Sequence, residues 1–151
     1  MDRIYGYDVL TALKNLLSAN LNTQIGLIKA ARGDAGVLNI NKITTGYSER
    51  QYPECLISLQ DSTPKNDDLN FDIDNTPEVF PVEVVVIFRD NTQNPYLRQE
   101  IYIEALQKTL QGYSSEQITW ILLTGSIRAK AYTESKETLI VGGVSIDIKT
   151  L

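Results

Sequence analysis

Hydrophobic positions along the chain change period from 3.6 to 2 and back, and those changes mark the elements. From Val9 to about Ala31, the residues Val9, Leu10, Leu13, Leu16, Leu17, Leu21, Leu27 and Ile28 share one face at helical spacing. Asp8 suits an N-cap, and Gly33 a stop after Arg32. Asn15, Asn20 and Asn22 are weak helix formers, so packing rather than propensity must hold this helix. At about 1.5 Å per residue it is roughly 35 Å long, enough to cross a small sheet.

Two short strands are expected next, one within Asn39 to Tyr47 and one over Glu54 to Gln60. In the second, Cys55, Ile57 and Leu59 alternate with Leu56, Ser58 and Gln60. Tyr52-Pro53 before it suits a strand entry, because proline fixes φ and removes a donor. The stretch from about 61 to 77 is rich in Asp, Asn, Ser and Thr and reads as one long acidic loop. Val82 to Arg89 places Val82, Val84, Val86 and Phe88 on one face and Val85 and Ile87 on the other. That marks an interior strand, or one whose second face meets a partner.

Asn94-Pro95 opens a second helix to about Gln111, with proline at its first position. It carries a broad apolar face (Tyr96, Tyr102, Ile103, Leu106, Leu110) and a narrower stripe of Leu97, Ile101 and Ala105. Two readings of the stripe stand: contact with both the sheet and the first helix, or contact with a neighbouring subunit. Ile118 to Leu123 is apolar on both faces, and Ile127 to Thr133 continues it after a bend or bulge near Gly125-Ser126. Glu134 to Glu137 suits a polar hairpin tip. The last strand, Leu139 to Lys149, directs Val144, Ile146 and Ile148 one way and Ser145, Asp147 and Lys149 the other. Gly142-Gly143 signals a bulge or a close backbone approach. The order α-β-β-β-α-β-β implies an α+β fold, a mostly antiparallel sheet with two main helices packed on it, in a single domain over 1–151.

Composition narrows the function. The chain has 151 residues, 42% hydrophobic and 22% charged, as in a soluble globular protein. No apolar run approaches the roughly 20 residues of a membrane span, and no secretory signal is expected at the N-terminus. One cysteine, Cys55, allows no internal disulfide, which favours a reducing compartment and cytoplasmic synthesis. The net charge of −5 and 14 dispersed basic residues do not suit a phosphate backbone, so direct sequence-specific nucleic-acid binding is not expected.

The chemistry is sparse. The chain has no histidine, which removes the commonest general base and metal ligand. With a single cysteine, structural zinc and a Cys-His nucleophile are excluded too. Phosphate-cradling and nucleophile-elbow motifs are absent. Cys55, beside Glu54 and among alternating apolar residues, reads as a buried apolar side chain. In the acidic loop, Asp68, Asn70, Asp72 and Asp74 echo the first half of an EF-hand loop. Ile73 and Val79 fall where glycine and the bidentate Glu are needed. Asp68, Asp72 and Asp74 remain weak cation candidates. A solvated loop that orders against a partner, through Asp67 and Asp68, is the better expectation. No catalytic residue, cofactor or resident metal is assigned.

The long N-terminal helix, the Tyr52-Pro53-Glu54-Cys55-Leu56-Ile57 strand entry, the Val82–Phe88 strand, the Pro95–Gln111 helix and the hairpin ending Val144-Ser145-Ile146-Asp147-Ile148 occur together. In this order of elements the chain resembles the tail terminator or tail-completion (neck) proteins of long-tailed bacteriophages and prophages. The resemblance covers most of the chain and rests on architecture and size. It implies a virion structural protein, assembled in the host cytoplasm, that forms a typically hexameric ring on the tail tube. Such a ring ends tail polymerisation and supports head–tail joining. The implied partners are copies of the chain, the tail-tube protein and the head–tail connector. Leu97, Ile101 and Ala105 are then candidates for lateral ring contacts, and Asp67 and Asp68 for axial ones. The alternative is a small cytoplasmic regulatory or ligand-binding α+β domain, acting as a dimer, with its ligand between sheet and helix.

Overall fold

The structure, a computed structural model, describes residues 5–46, 50–60, 79–90, 94–111, 113, 118–133 and 135–150. Helix α1 runs Gly6–Arg32 and begins earlier than the apolar pattern indicates. Tyr5 occupies the N-cap, and Asp8 lies in the first turn with its carboxylate accepting from the Tyr5 N–H at 3.0 Å. Asp8 therefore stabilises this end from inside the helix, where a negative charge meets the positive end of the dipole. At the other end Gly33 takes the left-handed conformation (φ +71°), and the Asp34 N–H reaches back to the Lys29 carbonyl at 3.0 Å.

The buried face of α1 is Val9, Leu13, Leu16, Leu17, Leu21, Ile25 and Ile28. Ile25 replaces the expected Leu27, which is 61% exposed. One residue is about 100° of rotation, so Leu27 is carried off the stripe that Leu21, Ile25 and Ile28 continue. The asparagines have local tasks. Asn22 grips Ile40 by accepting from its N–H at 2.8 Å and donating to its carbonyl at 3.3 Å. Lys29 donates to the Val37 carbonyl at 3.2 Å. Both contacts hold the connection from α1 to the sheet against the helix.

Strands β1 (Lys42–Thr44), β2 (Glu54–Leu59), β3 (Val79–Arg89), β4 (Ile118–Tyr132) and β5 (Thr138–Thr150) form one sheet in the order β1-β2-β3-β5-β4. Only β1 and β2 pair in parallel; the other pairings are antiparallel. Helix α2, Pro95–Leu110, lies between β3 and β4 in sequence. The fold is thus α+β with the expected order of elements. Strand β4 passes through register shifts at Ile118/Trp120 and Leu123/Gly125, the latter where the Gly125-Ser126 bend is expected.

Both helices pack on one face of the sheet and on each other. Cys55 and Ile57 of β2, Val82, Val84, Val86 and Phe88 of β3, and Ile140, Val144, Ile146 and Ile148 of β5 point into this core. Tyr102 and Phe88 meet there with ring centroids 5.1 Å apart. Gly143 has the close backbone approach its sequence signals, since a Cβ there would lie 2.8 Å from the Val85 Cα.

Candidate functional site

Among the described residues no helix packs on the second sheet face, to which the alternate residues of the strands point. Across four strands, Leu56, Val85, Gly143 and Ile127 stand in register, and beside them Ile87, Val141 and Ala129. Leu56, Val85, Ile87, Ile127 and Val141 are half-buried, and Leu122 is exposed on the same side. The face is apolar at its centre and polar along the row of Ser58, Glu83 and Ser145. A sheet with one face on the core and one in water normally alternates apolar with polar, and here Val79, Val85 and Ile87 take three of the six outer positions of β3, the others being Pro81, Glu83 and Arg89.

At one margin of this face Glu54 is fully buried and pairs through Oε2 with Arg50 at 3.0 Å. Its Oε1 has no hydrogen-bond partner among the described residues. Beside it the Cys55 thiol is pushed up to about 12, first by burial and then by the Glu54 charge. An inert, protonated thiol is the chemical consequence, as its apolar flanks lead one to expect.

The helix side is charged. Arg32 contacts Glu104 at 3.0 Å, Lys108 reaches the same carboxylate at 3.2 Å, and Arg128 donates to Glu100 at 2.9 Å. The Arg128 hydrogen bond holds the Glu100 carboxyl below its usual range.

A cavity of about 150 Å³ opens at the end of the sheet where β3 finishes, lined by Gly36, Leu38, Tyr52, Pro53, Phe88, Arg89, Arg98 and Tyr102. The Tyr102 hydroxyl donates to the Leu38 carbonyl at 2.7 Å, and burial pushes its phenol up to about 12. Arg98 clasps Asp34 through Nε (3.3 Å) and Nη2 (3.2 Å) at the rim. Arg89 lies over the Tyr52 ring, 5.6 Å from its centroid.

The expected interface stripe on α2 divides. Leu97 is 64% exposed, whereas Ile101 and Ala105 are buried in the core. These two already have intramolecular neighbours, because α2 packs against both α1 and the sheet. Asp67, Asp68, Asp72 and Asp74 lie outside the described residues. Among the described residues no cluster of three or more metal-ligating side chains forms. Trp120, which the apolar run suggests is buried, is half-exposed at the edge strand. The cavity has no linear signature, because its walls come from sequence positions up to 66 residues apart, Gly36 to Tyr102.

The sequence matches no protein-family model and no characterised protein.

Proposed function

We propose that this chain is an assembly protein that acts by docking, specifically a capping ring on a phage or prophage tail tube that ends tail growth and presents a surface for head–tail joining. The observation that carries the docking part is the half-exposed apolar sheet face of Leu56, Val85, Ile87, Ile127 and Val141. An interior β-strand with valine and isoleucine on both sides is what a sheet needs when its second face meets another protein. The tail-capping part rests on the resemblance in the order and size of elements. The partners on this reading are further copies of the chain, the tail-tube protein and the connector, and the place of action is the virion after assembly in the host cytoplasm. No step of bond chemistry is assigned.

Light scattering combined with negative-stain imaging tests it. Rings of several subunits, at high concentration or on added tail-tube protein, are the expected result. A closed dimer under every condition would overturn it.

One observation favours the second reading, a small ligand-binding domain: the end cavity does lie between sheet and helix. Its size argues against a metabolite, since about 150 Å³ is half the lower limit of roughly 300 Å³ for small-molecule pockets. Docking is the better-supported function.

A further inference from the structure

Strand β4 changes character halfway along. Its first half is anchored in the core by Ile118 and Ile121. From Gly125 to Tyr132 no side chain is buried, although all eight residues pair with β5. The two halves join at the Leu123/Gly125 register shift, where the ladder is locally disrupted. At the far end the turn to β5 is closed by the Thr133 N–H on the Glu137 carbonyl at 3.0 Å, and Glu137 is tied to Arg89 of β3 at 3.2 Å.

The helix-facing side chains of this second half are polar and meet α2 at the surface. Arg128 donates to Glu100 at 2.9 Å, Lys130 lies 5.3 Å from the centre of the Tyr96 ring, and Gln107 donates to the Ser126 hydroxyl at 3.5 Å. Arg128 and Glu100 are 50% and 48% exposed, so their pairing is weak and is screened by salt. Main-chain pairing and a few surface contacts thus hold this segment, where the rest of the sheet has a core. Few buried apolar contacts is the condition under which one part of a protein opens without the whole.

We propose that Gly125–Tyr132 opens from β5 as a unit, hinged at the Leu123/Gly125 irregularity, and that the Arg128–Glu100 pair, with Lys130 on Tyr96, latches it shut. The sheet beneath the helices stays closed, because Phe88, Ile140 and Val144 belong to the buried core. Opening bares main-chain groups of β5, an edge to which another strand can add. It is independent of what the chain assembles with.

Amide exchange separates opening of this segment from opening of the whole sheet. In an antiparallel sheet, successive residues of a central strand bond alternately to its two neighbours. The Thr138 carbonyl accepts from the Asp90 N–H at the end of β3, so Ile140, Gly142 and Val144 bond toward β3, and Leu139, Val141 and Gly143 toward β4. Exchange is followed residue by residue by NMR on wild type and Glu100→Gln, at low salt and in about 1 M sodium chloride, where the screening length is about 3 Å. The amides of Leu139, Val141 and Gly143 are expected to exchange about 100-fold or more faster than those of Ile140, Gly142 and Val144. High salt, and Glu100→Gln at low salt, should each speed the first set about threefold relative to the second. The salt arm needs no variant, and a urea midpoint checks that Glu100→Gln is folded. Equal rates in the two sets would overturn the local opening. A first set that neither salt nor Glu100→Gln moves relative to the second would overturn the latch.

Discussion

The side-chain amide of Gln99, buried in α2, donates to the main-chain carbonyl of Val141 in β5 at 2.8 Å. The next residue, Gly142, makes that approach possible, because a Cβ there would lie 2.9 Å from Gln99 Cγ and 3.0 Å from the Gln99 carbonyl oxygen. The second helix is thus fastened to the sheet at a point where the strand has no side chain.

Substitutions at the paired glycines are expected to destabilise the fold unequally. Gly142→Ala forces α2 outward and costs about 1–3 kcal/mol, the usual range for overpacking. Gly143→Ala meets the Val84 carbonyl and the Val85 Cα, which cannot yield without displacing a central strand, so its cost is at or above the top of that range. Gly125→Ala meets nothing within 4 Å and serves as the control. Urea unfolding midpoints rank the three, and equal midpoints would contradict the packing described.

Alkaline pH is expected to weaken the fold. Cys55 is raised from 9.0 to about 12 and Tyr102 from 10.0 to about 12, so the folded state holds both protons more tightly than the unfolded chain. Their contribution is complete below pH 9 and is lost as pH climbs from about 9 to about 12. Thermal melts between pH 8 and pH 11 measure this. Thiol labelling of native protein at pH 8 should be negligible and should become complete in denaturant.

Arg50 and Glu54 offer a test of a buried charge. Removing Arg50 alone leaves a fully buried carboxylate uncompensated, with an expected cost approaching the 3–5 kcal/mol typical of broken buried pairs. Replacing both residues together, as Arg50→Met with Glu54→Leu, is expected to cost less than Arg50→Ala. Denaturant unfolding of the single and double variants gives the comparison, and a double variant weaker than the single would refute it.

On the outer sheet face, Val85→Lys and Val141→Lys are expected to leave the monomer folded, since both side chains are half-buried and can extend into water. The same changes should reduce association at least tenfold if this face meets a partner, because a charge would have to be desolvated there. Sedimentation equilibrium on the folded variants reads the change.

Much of the architecture is legible in the residue pattern because burial and periodicity act locally. The alternation in β3, the Pro95 start of α2 and the Gly33 stop are each set by a few neighbouring residues. The start of α1 is harder to read, because Tyr5 is not a usual cap residue and the polar first turn has no apolar period to follow. Ile101 and Ala105 illustrate a different difficulty. Helical spacing puts them on a common stripe, but only the placement of α1 shows that both are covered by the same molecule. The cavity has no sequence signal for the same reason, since a pocket shared by a loop, a strand end and a helix has no period at all.

Placing both helices on one side gives the molecule two sides that answer salt oppositely. The Arg32–Glu104–Lys108 cluster and the Arg128–Glu100 pair are exposed to solvent and are screened as ionic strength rises. The apolar outer face of the sheet responds the other way, because excluded anions such as sulfate strengthen apolar burial. A concentrated sulfate solution therefore loosens the clasps over the helices while pressing valines and isoleucines on the opposite side toward whatever they adjoin.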